Sequence, residues 1–86
     1  MPMSAPNPHT NTNNIALKIS SLSQLGLLLK QRRKELGVTQ KELAMLCNLS
    51  HNGISKIELG LSDVKCSTLL KLSTFLGFEI QLHLEQ

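Results

Sequence analysis

Leucines at 22, 25, 29 and 36 fall at the spacing of a helix that keeps one face inward. Ser21-Leu22-Ser23-Gln24 precedes them in the order of a capping box, serine capping and Gln24 reaching back, and Gly37 supplies a left-handed stop. Leu27 and Leu28 lie off the stripe, so this first helix is apolar over more than one face and suits either extra core or a partner surface. Thr39-Gln40-Lys41-Glu42 is a second capping box, opening a short helix over 40–47 through Leu43, Ala44, Leu46 and Cys47. Asn48-Leu49 makes a tight turn, because asparagine tolerates positive φ. Ser50 caps a third helix from His51 to Leu59, with Ile54 and Ile57 inward and Gly60 as its end. A loop from Leu61 to Lys65 leads to a fourth helix over 67–76, carrying Leu69, Leu70, Leu72, Phe75 and Leu76 and stopped by Gly77.

From residue 78 the period changes. Phe78-Glu79-Ile80-Gln81-Leu82-His83-Leu84 alternates apolar and polar, the pattern of a half-buried strand whose inward face is Phe78, Ile80, Leu82 and Leu84. A lone strand leaves both edges unpaired. Pairing with the same strand of a second copy about a two-fold axis solves this, with Ile15–Ile19 as the competing partner. The fold expected is therefore all-α, four to five short helices with a C-terminal β-strand pairing across a homodimer.

Residues 1–14 differ in kind. They hold all three prolines of the chain, several asparagines and no formal charge. Such a segment buries too little apolar surface to offset its ordering entropy and reads as a disordered tail. The organisation is then tail (1–14), helical domain (15–77) and dimerisation strand (78–86).

Composition narrows the chemistry. Of 86 residues, 41% are hydrophobic but only Phe75 and Phe78 are aromatic, so leucine and isoleucine fill the core, as suits packed helices. A domain this small gains from a dimer interface. The net charge of +3 permits a polyanionic partner without requiring one. Cys47 and Cys66 show no metal-ligand or CxxC spacing and read as small buried thiols in a reducing compartment. No apolar run reaches membrane-span length and no signal-peptide order opens the chain, so a cytoplasmic protein without a membrane partner is expected. No Ser/His/Asp order, phosphate loop, paired carboxylates or metal cluster points to an enzyme, and neither metal nor cofactor is implied.

Two short helices, 40–47 and 51–59, joined by a tight turn have helix-turn-helix geometry. The second can enter the DNA major groove while the first crosses the backbone. Its outward residues Ser50, His51, Asn52, Ser55 and Lys56 are polar and none is acidic.

Leu25-Gly26-x-x-Leu29-Lys30-x-x-Arg33, Gly37-Val38-Thr39-Gln40-x-Glu42-Leu43-Ala44 and Leu49-Ser50-x-x-x-Ile54-Ser55-x-Ile57-Glu58-x-Gly60 stand in order along the chain. With Thr68-Leu69-Leu70-Lys71-Leu72 they resemble the XRE/Cro helix-turn-helix family of phage repressors, a lambda-repressor-like fold. Lys18-Ile19-Ser20-Ser21 and the terminal alternating segment are similar to HipB-like antitoxins. That resemblance implies a repressor that binds near-palindromic double-stranded operator DNA, autoregulates its operon and neutralises a HipA-like kinase toxin. It also implies roles. His51, Asn52 and Lys56, with Ser50 and Ser55 beside them, occupy base-reading positions. Thr39, Gln40, Lys41, Ser62 and Lys65 occupy phosphate-binding ones, and Arg33 pairs with Glu58 inside the domain. Lys30, Arg32, Lys34 and Lys41 read otherwise as a solvated face. A stand-alone phage-type repressor, or a protein-interaction module without specific DNA binding, are the alternatives.

Overall fold

The computed structural model describes residues 15–85; the expected tail over 1–14 lies outside them. Four helices follow in order: α1 (Leu22–Glu35), α2 (Gln40–Leu46), α3 (His51–Glu58) and α4 (Cys66–Leu76). The first three start where their caps are. Ser21, Thr39 and Ser50 each accept a backbone N–H three residues on, from Gln24 (3.1 Å), Glu42 (3.0 Å) and Gly53 (2.9 Å). A cap of this kind stabilises a helix by about 1 kcal/mol. The box at α2 is closed by Thr39 N–H donating to Glu42 Oε1 at 2.8 Å, and these bonds from Thr39 hold the Glu42 carboxyl below its ordinary value. At α1 the reach-back goes one residue further out, with Ser20 N–H donating to Gln24 Oε1 at 2.6 Å. Asn48 turns the chain between α2 and α3 at φ 57°, and Gly37, Gly60 and Gly77 follow their helices at φ 71–72°.

Leu29, Leu43, Ala44, Cys47, Ile54, Ile57, Leu72 and Leu76 form one buried cluster, with Leu25, Val38, Leu49, Val64 and Phe78 packed around it. α3 sits between α2 and α1, and α4 closes against α1. The close approach of α1 to the end of α3 is made possible by Gly26, which is buried. A Cβ there would stand 2.3 Å from the Ile57 carbonyl oxygen and 2.6 Å from that of Glu58. Only glycine lets the two backbones come this close.

Within the single chain, residues 78–85 contain no strand, nor does any other described segment. A strand is defined by a paired ladder, and Ile15–Ile19, the one candidate within the chain, is exposed and without regular structure. Phe78 packs on the core while Ile80, Leu82 and Leu84 stay exposed. α4 starts at Cys66, one residue early, which leaves that thiol exposed while Cys47 is buried. Burial pushes the Cys47 thiol up, more than nearby Lys71 lowers it. Leu27, off the inward stripe of α1, is solvent-facing, as are Leu70 and Phe75 on α4. Arg32, read as part of a solvated face, instead donates from Nε to the Leu76 carbonyl at 2.7 Å, tying α1 to an otherwise open helix end. No described helix is long and apolar enough to cross a membrane.

Candidate nucleic-acid interface

α3 has two sides. Ile54 and Ile57 bury one of them in the core. On the other, Ser50, His51, Asn52 and Lys56 are exposed and Ser55 is half-buried. Thr39 and Lys41 are exposed at the start of α2, next to half-buried Gln40, and Ser62 and Lys65 lie in the loop that leaves α3. Ser62 and Lys65 flank Asp63 and line a shallow groove of about 270 Å³ with Gly53 and Thr68. The residues read as DNA-contacting thus come from two helix starts and one loop.

A buried polar cluster holds these elements together. Arg33 of α1 grips Glu58 of α3 in a two-pronged pair, Nε to Oε2 at 2.6 Å and Nη2 to Oε1 at 3.0 Å. Its Nη1 donates to the Val38 carbonyl at 2.8 Å, fixing the turn into α2. The side chains of Arg33 and Glu58 are only 9% and 3% exposed, so the pair is desolvated and a lone partner would be costly. Glu58 Oε1 accepts a further bond from Gln40 Nε2 at 2.9 Å. Burial raises the Glu58 carboxyl, but the Arg33 and Gln40 hydrogen bonds and the Arg33 and Lys30 charges outweigh it, leaving it below its ordinary 4.5. Among the described residues no buried side-chain nitrogen or oxygen lacks a partner.

The cluster reaches the surface at one point. Gln40 Oε1 lies 2.9 Å from His51 Nε2, so the first residue of α2 meets the first residue of α3. The sequence pattern puts Gln40 and His51 on the DNA side without linking them, and no local pattern spans a separation of 11 positions.

A helix-turn-helix family model matches residues 29–82, more than half of the chain and all of α2, α3 and α4. The chain belongs to the XRE-type helix-turn-helix family. Among curated proteins, this helix-turn-helix chain is 45% identical over 49 residues to the HTH-type transcriptional regulator ImmR of Bacillus subtilis. That match covers 57% of the chain and 39% of ImmR, so it spans well under half of the relative's length. Among solved structures, the restriction-modification controller protein C.AhdI of Aeromonas hydrophila superposes with a TM-score of 0.65 at 33% identity, covering 67% of this chain and 88% of that one. A chain of the HipA-HipB-O2-O3 complex superposes at 0.69 with 28% identity, covering 83% of this chain and all of that one. The lambda-repressor-like arrangement expected from the sequence is the fold these structures share.

Proposed function

We propose that the chain is a transcriptional repressor that reads double-stranded operator DNA with the start of α3, acting by binding and not by catalysis. The observation that carries this is the acid-free exposed face Ser50, His51, Asn52 and Lys56, mounted on the buried Arg33–Glu58–Gln40 cluster. A protein-interaction module has no need of such a face. Asn52 suits adenine N6/N7 and Lys56 suits guanine O6/N7, while Thr39, Gln40, Lys41, Ser62 and Lys65 position the backbone. Gln40 keeps one amide proton for a phosphate beyond the one given to Glu58.

The working form is a homodimer. Leu70, Phe75, Ile80, Leu82 and Leu84 are all exposed on α4 and the segment after it. A second copy covers them, and strand pairing of residues 78–84 across the two-fold axis gives the alternating segment its missing ladder. Two recognition helices then sit about one DNA turn apart on a near-palindromic site. In its genomic setting we assign the chain as a HipB-like cytoplasmic antitoxin that represses its own operon and neutralises a HipA-like kinase. The superposition of most of this chain on all of a chain from the HipA-HipB-O2-O3 complex supports this. The likeness to the controller protein C.AhdI favours the second reading, a stand-alone regulator.

The test is a gel-shift titration on the DNA upstream of the chain's own coding region, with scrambled competitor, at low and high salt. A specific shift of dimer stoichiometry that weakens steeply with salt is expected. No specific shift from folded protein removes the autoregulating repressor. Co-purification with a co-expressed neighbouring kinase, and loss of that kinase's activity, separates antitoxin from stand-alone regulator. In the same assay Asn52→Ala loses ~1–3 kcal/mol of binding and relaxes base preference at one position. Lys30→Ala, by contrast, weakens all sequences alike or not at all. An unchanged preference for Asn52→Ala takes that residue out of the reading set.

A further inference from the structure

The hydrogen bonds behind α3 determine which face of His51 is free, and so what it recognises. Glu58 is a carboxylate gripped by Arg33 through both oxygens. A carboxylate only accepts hydrogen bonds. The Gln40 amide must therefore turn its nitrogen toward Glu58 Oε1, as it does at 2.9 Å, because the flipped amide would set oxygen against oxygen. That orientation leaves the Gln40 carbonyl oxygen facing His51 Nε2 at 2.9 Å. A carbonyl oxygen also only accepts, so Nε2 carries the proton and donates. A neutral imidazole has one proton, so Nδ1 holds a free lone pair. Among the described residues Nδ1 has no partner, and His51 is exposed at the start of α3.

We infer that His51 is a dedicated hydrogen-bond acceptor toward DNA, its Nδ1 selecting an exocyclic amine in the major groove. The amines available there are adenine N6 and cytosine N4, while guanine N7/O6 and thymine O4 offer only acceptors. A ring held in this tautomer discriminates by repulsion as well as attraction, since two lone pairs cannot share a proton. It also complements its neighbour Lys56, which only donates. Arg33, which touches no base in this scheme, acts on specificity through Glu58 and Gln40 as a positioning residue. The inference rests on the proposed reading of α3 as the DNA-recognition helix.

Two measurements test it. The first needs no DNA. Multiple-bond nitrogen NMR of the intact chain at about pH 8 should place the His51 proton on Nε2. That proton should exchange slowly with water, and the protection should disappear in Gln40→Ala. A proton on Nδ1, or an Nε2 proton exchanging as freely in the wild type as in Gln40→Ala, overturns the inference. The second selects duplexes from a randomised library with wild type and with His51→Ala, and takes the position whose preference the variant loses. Every base pair presents one such amine in the major groove, adenine N6 or cytosine N4, so deleting it is the decisive step. Replacing adenine by purine, or cytosine by pyrimidin-2-one, deletes the amine and should weaken wild-type binding about tenfold while leaving His51→Ala unchanged. The analogue that produces the effect identifies which base supplies the amine. No loss of wild-type binding when the amine at that position is deleted, or an equal loss with His51→Ala, overturns the inference while DNA reading by α3 stands. If no sequence is enriched at all, the recognition-helix reading fails together with the inference, and the NMR result reports only the tautomer.

Discussion

Arg33→Ala lowers the folding stability of the chain by ~3–5 kcal/mol, the cost of leaving one member of a buried ion pair alone. Native domains have only about 5–15 kcal/mol in all, so this one substitution removes a large fraction of the chain's stability, and any fall in its DNA binding follows from that and not from a lost DNA contact. The loss has three parts, because Arg33 bonds both Glu58 oxygens and the Val38 carbonyl. Urea denaturation measures it, and a midpoint within experimental error of wild type would remove the pair from the account. The pH dependence gives a second signature with a definite sign. Glu58 in the folded chain lies below its ordinary 4.5, since the Arg33 and Gln40 interactions outweigh burial. Its stabilisation is therefore complete above about pH 4.5 and is lost as pH falls through the lower folded-state value. Without Arg33 the same burial raises the carboxyl, so the variant gains from protonation. The stability gap between wild type and Arg33→Ala should narrow on acidification. Replacing both partners by apolar residues, Arg33→Met with Glu58→Leu, should recover part of the loss.

Gly26→Ala is the second large effect, and its sign runs against helix propensity. In an exposed helix interior alanine is better than glycine by about 1 kcal/mol. Here the added methyl meets the Ile57 carbonyl oxygen at 2.3 Å and the Glu58 carbonyl at 2.6 Å. Both are backbone atoms, which cannot rotate away as a side chain can. α1 must shift off α3, disturbing the Arg33–Glu58 geometry. A loss of about 3 kcal/mol is expected, the upper part of the overpacking range. For a chain this short that lowers the thermal midpoint by more than about 10 °C. A midpoint equal to or above wild type would show that the helices do not need this close approach.

What was legible in the sequence is what neighbouring residues decide among themselves. Ser21, Thr39 and Ser50 cap because their hydroxyls reach a backbone N–H three residues away, and Asn48 turns because its own side chain permits φ 57°. Ile54 and Ile57 against Ser50, His51 and Asn52 is a helical division of faces visible from spacing alone. Interactions across the chain were not legible. Arg32 looks like any surface arginine until Leu76, 44 residues away, presents an open carbonyl. Gly26 is an ordinary mid-helix glycine until the end of α3 arrives against it. The contact between Gln40 and His51 exists only because α2 and α3 are held at one angle by the turn and the buried pair. The alternation of residues 78–84 has the period of a strand, but a strand also needs a partner, and the described residues of one chain supply none. Composition does not separate Leu70 and Phe75 from Leu72 and Leu76, because α4 has one buried face and more apolar residues than that face accommodates.

Whether the start of α3 reads base sequence is decided by selection from a randomised duplex library with the full chain. Two half-sites related by a near two-fold axis, centred about one helical turn apart, should be enriched. Asn52→Ala should relax a single position within each half. Folded protein that enriches no sequence, or whose enriched site is indifferent to substitution at Asn52, His51 and Lys56 alike, would show that α3 does not read bases.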